Sequence, residues 1–473
     1  MTGSRNLAAA IVDQAATRPD LRVGTVDDQL ALSEAVTLAA GRARSLLSEG
    51  VRPGDRLALV GPSSTDYVVT WLACLLAGAP VALVNPTYPQ DLLTDMLAPL
   101  APSLVLDCDA ISQARTLGGT DVSGLPGLDR DAFDPVSFMH TSGTTGMPKF
   151  CLQTHEYFRR LARAMSTALD LTADDRVLAP LPLFHINPMG YGIITALLTG
   201  ADALTVNRFS ASGFWPAVRE QDVTVLILHA PPVQILKRAT TAEHAAGHRV
   251  RTMFFADRDF LEQFGVPDAV SGYGSTEAGG VSHLRRWRGT EDMPDDASRH
   301  GGPGRDDIQW RLDGDGLVSV RESEPGALFG GYVSDGGVDT ARDVDGWYRT
   351  GDIGRAEGTD YLVFLERGAE SIRVKGEFVP IPFVENAVAG VAELRDLALW
   401  KRQGELVDDD VVLYVVADYV PVEEIRKAVA GLPAFMRPVA VARVEELPRD
   451  AAAFKVQRRL LAQTPVIEWV SLA

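Results

Sequence analysis

His140-Thr141-Ser142-Gly143-Thr144-Thr145-Gly146-Met147-Pro148-Lys149 places four hydroxyls, two glycines and one lysine in a single short loop. Glycine lets a backbone turn tightly and bring its N–H groups close to a ligand. Those N–H groups, the hydroxyls and the ammonium all donate hydrogen bonds or positive charge, which is what a polyphosphate requires. A strand-like run, Val136-Ser137-Phe138-Met139, leads into the loop, and an amphipathic helix is predicted after Thr154. Strand, phosphate-compatible loop and helix together indicate an α/β sheet with a nucleotide site at a strand end. The loop is not of the Walker type, because Lys149 follows Pro148 and no Gly-Lys-Ser/Thr occurs there.

Outward from the loop the same texture repeats. Residues 56–60, 81–84 and 103–106 read as strands, with helices over 65–77 and 90–100. After the loop come strands near 176–179, 203–206 and 224–228, with helices over 189–198 and 213–220. Such alternation argues for parallel sheets covered by helices. From about residue 300 the chain turns to Gly/Asp-rich hairpins, and after about 367 to a smaller α+β pattern with a strand over 411–416 and a helix over 422–430. A basic helix is expected after Lys455, and Asp408-Asp409-Asp410 reads as a solvated turn.

The 473 residues exceed one compact core, so two or three domains are expected. The net charge of −18 opposes nucleic acid and anionic membrane as partners. A phosphate site must then be basic locally, against the global field. Cys74, Cys108 and Cys151 show no metal-binding or disulfide spacing, and residues 1–6 have no apolar signal core, so a reduced cytoplasmic setting is expected. No apolar stretch is long enough to span a bilayer without interruption.

Three further motifs carry chemistry. Gly272-Tyr273-Gly274-Ser275-Thr276-Glu277-Ala278-Gly279-Gly280 is a second Gly-rich loop, now with a carboxylate. Glu277 suits Mg²⁺, which takes one or two carboxylates plus phosphate oxygens. Thr276 suits a phosphate, and Tyr273 a base. In Trp347-Tyr348-Arg349-Thr350-Gly351-Asp352, Asp352 suits the two ribose hydroxyls, as acidic residues do in dinucleotide folds. Lys455, in Lys455-Val456-Gln457-Arg458-Arg459, is either a catalytic ammonium or part of a solvated basic face.

In this order and spacing the elements resemble the adenylate-forming (AMP-binding) superfamily, from Gly54-Asp55 to Arg459. Thr141 to Lys149 is similar to its phosphate signature, Tyr273 to Glu277 to its Tyr-Gly-x-Thr-Glu element, and Tyr348 to Asp352 to its Arg-Thr-Gly-Asp element. Glu366-Arg367 through Lys375-Gly376-Glu377 resembles the hinge and re-entering loop, and Pro180 to His185 the segment that gates the acid pocket. The texture is nearest to stand-alone acyl- or aryl-CoA ligases such as carnitine-CoA ligase.

The resemblance implies a large N-terminal α/β core over 1–366, with parallel sheets covered by helices plus a small β-barrel-like part. A small mobile α+β domain would occupy 367–473 and carry Lys455. It implies ATP and Mg²⁺ as cofactors, with CoA as second substrate. Thr141, Ser142, Gly143, Thr144, Thr145, Gly146 and Lys149 would hold the β- and γ-phosphates, and Thr276 the α-phosphate. Glu277 would hold the metal, Tyr273 the adenine, and Asp352 with Arg367 the ribose. Lys455 would bridge the carboxylate and the α-phosphate. His185, Asn187, Met189, Tyr191, His229, Ser271 and Gly272 would line the acid pocket.

The departures are specific. Phe150-Cys151 stands where the family has Gly after the loop lysine. Phe254-Phe255-Ala256-Asp257-Arg258-Asp259 replaces the usual Gly-x-Ala adenine contact, Ala369 the usual hinge Asp or Lys, and Phe454 the Gly before the catalytic lysine. Three functions remain open. The chain is an acid–CoA ligase, or an ATP-dependent diazotase activating nitrite for an aryl amine in secondary metabolism, or a catalytically degenerate ATP-binding scaffold. The partners expected are a small-molecule acid and a nucleophile, CoA or an amine, with the chain a monomer or homodimer.

Overall fold

The structure, a computed structural model, describes residues 6–141, 148–314, 316–367, 372–374, 377–403, 409–449 and 456–472. It divides into two compact units. The larger comprises Met1–Pro86, Ala98–His140 and Phe150–Gly368, and the smaller comprises Thr87–Leu97, Thr141–Lys149 and Ala369–Ala473.

Two large sheets organise the chain before residue 340. One has eight strands in the order His283–Arg288, Asp268–Tyr273, Thr252–Phe254, Val225–Ile227, Arg176–Leu178, Asp202–Thr205, Arg22–Thr25 and Asp28–Ala31. Its six inner strands run parallel, and both edge strands are antiparallel to their neighbours. The second has seven strands in the order Gly337–Asp339, Gly331–Ser334, Lys149–Thr154, Pro135–Thr141, Val81–Val84, Leu57–Val60 and Leu104–Leu106. Its inner aliphatic strand Val81-Ala82-Leu83-Val84 is buried throughout, as a strand covered on both faces must be.

Helix boundaries follow local chemistry. Ser64 caps the helix Thr65–Leu76 by accepting from the Tyr67 N–H, and Gly78 turns the chain out at φ +70°. Eleven residues of that helix are buried, so it is apolar all round and serves as a core element. Thr154 likewise caps His155–Leu169, whose buried stripe of Tyr157, Phe158, Leu161, Met165 and Leu169 faces the core.

The segment predicted as an α-helix over 189–198 is instead a π-helix, Asn187–Ile194, followed by a short α-helix, Thr195–Thr199. The cause is local. A Cβ at Gly192 would lie 2.4 Å from the Ala179 side chain, so the backbone packs where no other residue fits. The Thr195 hydroxyl then takes the Gly190 carbonyl at 2.7 Å, satisfying a group in the widened turn.

A five-stranded antiparallel sheet follows, in the order His300–Pro303, Tyr361–Arg367, Tyr348–Glu357, Leu317–Glu322 and Ile308–Asp313. The barrel-like part expected from the sequence is this sheet, which stays open.

The smaller unit holds a four-stranded sheet, Asp396–Gln403, Asp409–Val416, Ala440–Val444 and Val466–Ser471, whose central pair is parallel. The final strand was not foreseen in the sequence, and the basic helix before it is short, Arg458–Leu461. The acidic run is not a turn over its described part. Asp409 and Asp410 open a strand and accept from Lys401 Nζ at 3.2 Å and Arg402 Nε at 3.1 Å, so cross-strand charge pairing holds them in the sheet. Among the described residues no helix is long and apolar enough to cross a membrane.

Candidate active site

The loop after strand Asp268–Tyr273 carries the most closely braced candidates. A Cβ at Gly274 would fall 2.2 Å from the Gly280 carbonyl, so the loop folds back on itself as only glycine allows. Gly279 and Gly280 both hold positive φ, at +75° and +76°. Three side chains fix the turn from outside. Tyr157 Oη donates to the Thr276 carbonyl at 2.8 Å, Tyr191 Oη to the Gly280 carbonyl at 2.9 Å, and Arg305 Nη1 to the carbonyls of Gly279 and Val281 at 2.9 and 3.0 Å. Burial pushes both phenols well up, so they remain donors at any working pH. Thr276 and Glu277 are each 8 % exposed, held at the edge of the core.

Arg305 is itself locked by Asp307 through two parallel bonds, Nε to Oδ1 at 2.9 Å and Nη2 to Oδ2 at 2.8 Å. Burial works to raise the Asp307 carboxyl, but the hydrogen bonds and charge of Arg305 overcome it and hold the group below the usual carboxylate range.

The ribose candidates converge. Tyr273 Oη donates to Asp352 Oδ2 at 2.9 Å, with Tyr273 6 % and Asp352 1 % exposed. Strand register sets Asp352 opposite Arg367. Phe364 stacks on Tyr273, with ring centroids 5.9 Å apart. Loss of the phenol removes a hydrogen bond that orients Asp352. Tyr273→Phe is therefore expected to weaken ATP binding roughly tenfold, the scale of one hydrogen bond to a charged group. Calorimetric titration with ATP checks this, and an unchanged affinity would separate Tyr273 from nucleotide binding.

Behind Tyr273 lies His283, fully buried between Tyr273 and Trp310, with Nδ1 2.9 Å from the Ser282 hydroxyl. Burial pushes its imidazole down to about 3, so it is neutral in the folded chain. The unfolded chain binds that proton below pH ~6.5, so stability is flat above that value and falls as pH drops towards 3. His155, lowered to about 4 by burial, adds to the same slope. Urea unfolding from pH 7 to 4 should show that His283→Phe removes about 1.4 kcal/mol of pH dependence per unit. An unaltered slope would mean that His283 titrates normally.

The acid-pocket candidates divide. The ring of half-buried His185 lies 4.6 Å from Phe184 and 6.1 Å from His140, which directly precedes the phosphate loop. Phe150, the departure after Lys149, is 2 % exposed and meets the His140 ring edge-on at 6.5 Å. Its bulk is thus core packing beside that histidine. His229 is exposed at the head of helix Ala230–Ala239 and stacks on Phe255 at 5.7 Å. Phe255 holds φ +89°, a glycine-like conformation that a bulky side chain adopts only under constraint. Asn187 Nδ2 donates to the Leu228 carbonyl at 3.2 Å. Gly272 lies where a Cβ would press on the Phe254 ring at 3.0 Å. Met189 and Ser271 present no surface. Met189 is within the apolar core, and Ser271 Oγ accepts from Trp287 Nε1 at 2.9 Å while donating to the His300 carbonyl at 2.5 Å.

Thr141 ends one strand and Lys149 begins the next. Ser142, Gly143, Thr144, Thr145, Gly146, Lys375, Gly376 and Lys455 lie outside the described residues, as does the side chain of Arg367. The sequence reading missed Tyr332, whose Oη donates to Glu277 Oε1 at 2.9 Å and lies 3.0 Å from Tyr348 Oη.

Comparison with known proteins bears on the family and the fold. The profile of the AMP-binding enzyme family matches residues 11–331. The rice (Oryza sativa subsp. japonica) 4-coumarate–CoA ligase 3 is 25 % identical over 497 aligned residues, covering 94 % of this chain and 89 % of that protein. The medium/long-chain-fatty-acid–CoA ligase FadD6 of Mycobacterium tuberculosis is 26 % identical, covering 80 % and 71 %. Among solved structures, the o-succinylbenzoate CoA synthetase of Bacillus subtilis superposes with a TM-score of 0.80 at 21 % identity, covering 98 % of this chain and 99 % of that one, a likeness of fold.

Proposed function

This chain belongs to the AMP-binding enzyme family, and on that premise we propose that it is an AMP-forming acid–CoA ligase. The observation that carries the reading is the buried Asp352, oriented by the Tyr273 phenol and set opposite Arg367, an arrangement suited to a ribose diol. The ligase names of the curated relatives supply the acid and CoA as substrate classes.

A carboxylate is a poor acyl donor, because its leaving group would be oxide. In the first step a carboxylate oxygen of the acid attacks the α-phosphorus of ATP, and the bond to the β-phosphate oxygen breaks. Pyrophosphate leaves and an acyl-adenylate remains. In the second, the CoA sulfur attacks the acyl carbon, the bond to the AMP oxygen breaks and the thiol proton passes to solvent. Catalysis of phosphoryl transfer is mostly positioning and charge neutralisation.

In this reading Tyr273 and Asp352, with Arg367, seat the nucleoside. Thr276 faces the α-phosphate, and the loop from Thr141 to Lys149 takes the departing pyrophosphate. His185 and its neighbouring rings bound the acid, and Lys455 neutralises charge between carboxylate and α-phosphate. Glu277 fits a magnesium ion, being one carboxylate at the core edge in its own Gly-rich loop, and the ion would offset phosphate charge.

Incubation with Mg-ATP, CoA and a panel of acids tests the proposal. Mass spectrometry should find an acyl-CoA thioester with at least one acid. Turnover that needs nitrite and an aryl amine, with no thioester from any acid, would replace the ligase reading with the diazotase one.

A further inference from the structure

Glu277 is not held by its own backbone alone. The carbonyl of Glu277 accepts from the Phe329 N–H at 3.3 Å, and its Oε1 accepts from Tyr332 Oη at 2.9 Å. An ionised carboxylate only accepts hydrogen bonds, so the Tyr332 proton is committed to Glu277. At the 3.0 Å contact between the two phenols, Tyr348 must therefore be the donor.

The phenols are themselves fixed. Phe329, fully buried, stands edge-on to both, with ring centroids 5.0 Å from Tyr332 and 5.3 Å from Tyr348. The backbone of Tyr332 pairs with Cys151 in the seven-stranded sheet, and Tyr348 begins a strand of the open five-stranded sheet. Two rigid sheets thus reach one carboxylate through two hydroxyls.

Such bracing has a chemical use. Among the described residues no group of three or more His, Cys, Asp or Glu is placed to hold a metal. A divalent cation bound here with a nucleotide leans on Glu277 and on phosphate oxygens. A lone carboxylate ligand free to rotate would lose much of its affinity to disorder, and outer hydrogen bonds are what remove that freedom. We infer that Tyr332, backed by Tyr348, is a positioning residue that orients Glu277 for the cation accompanying ATP. The inference rests on the ATP-dependent reading above, and it adds Tyr332, which lies outside the motifs quoted from the sequence, and gives a part to Tyr348 within one of them.

Tyr332→Phe keeps the ring, its packing and the strand, and deletes the hydroxyl that donates to Glu277 and meets Tyr348. Binding of a non-hydrolysable ATP analogue is measured by calorimetry at stepped Mg²⁺ concentrations, with wild type, Tyr332→Phe and Tyr348→Phe. The Tyr332→Phe chain should need about tenfold more Mg²⁺ or beyond for the same affinity. Its binding of the analogue without metal and its melting temperature should stay close to wild type. Tyr348→Phe should shift the requirement less, in the same direction. Identical Mg²⁺ dependence in Tyr332→Phe and wild type overturns the inference, and so does a loss that is equal at every Mg²⁺ concentration. Because no acid turns over in this measurement, an error about the acid or the acceptor leaves the result readable. Absence of any Mg²⁺ effect in the wild type would defeat the metal role of Glu277 and the inference together.

Discussion

Replacing Arg305 with alanine is expected to lower the free energy of unfolding by about 3–5 kcal/mol, the usual cost of breaking a buried ion pair from one side. Both side chains of the Arg305–Asp307 pair are 5 % exposed. Removal of the guanidinium leaves the Asp307 carboxylate buried, with Arg160, 3.3 Å away, and the more distant Arg163 as its cations among the described residues. It also strips donors from the carbonyls of Gly279 and Val281, so the loop bearing Thr276 and Glu277 loses its outer brace. Lysine should not restore stability, because one ammonium cannot reproduce the planar fork that meets Asp307 twice and the loop carbonyls as well. Urea unfolding of Arg305→Ala and Arg305→Lys checks both statements. A loss below about 1 kcal/mol, the scale of a surface pair, would show that the pair is not the anchor described here.

Lys455→Ala should reduce acid-dependent pyrophosphate release by about 10²–10³-fold, the typical loss for one transition-state donor. Lys455 lies outside the described residues, and its role rests on the likeness of its segment to the family's catalytic lysine motif. An ammonium acting between carboxylate and α-phosphate stabilises charge that develops during transfer, so its removal should lower kcat far more than it weakens ATP binding. Stopped assays with saturating ATP and acid, paired with nucleotide titration, separate the two effects. Unchanged pyrophosphate release in the variant would make Lys455 a surface lysine.

The chemistry of the fold could be read from short runs because that chemistry is local. Val81 to Val84, the Ser64 and Thr154 caps, and the glycines around Glu277 each act within a few residues. Of the eight-stranded sheet, the alternation of strand and helix marked three strands, near 176–179, 203–206 and 224–228, and left the other five unmarked. Other features required contacts that spacing does not encode. Tyr332 meets Glu277 across 55 positions and Arg305 meets Gly279 across 26. The π-helix at Asn187 arose from the close approach of Gly192 to Ala179, which no periodicity reports. Ser271 and Met189 were expected to line the acid pocket, and packing decides their exposure. Phe150 and Phe255 show the reverse. As departures they stood out in the sequence, but only the structure gives the ring of Phe150 a place against His140 and the backbone of Phe255 a glycine-like φ.

The account turns on one statement, that this chain splits ATP between its α- and β-phosphates in response to an acid. The direct measurement is the nucleotide product formed from Mg-ATP with each of a broad panel of carboxylic acids, resolved by ion-exchange chromatography. AMP and pyrophosphate in equal amounts, appearing only with particular acids, is the predicted result. ADP and phosphate, or no turnover with any acid while ATP still binds, would contradict it and leave the chain a nucleotide-binding scaffold.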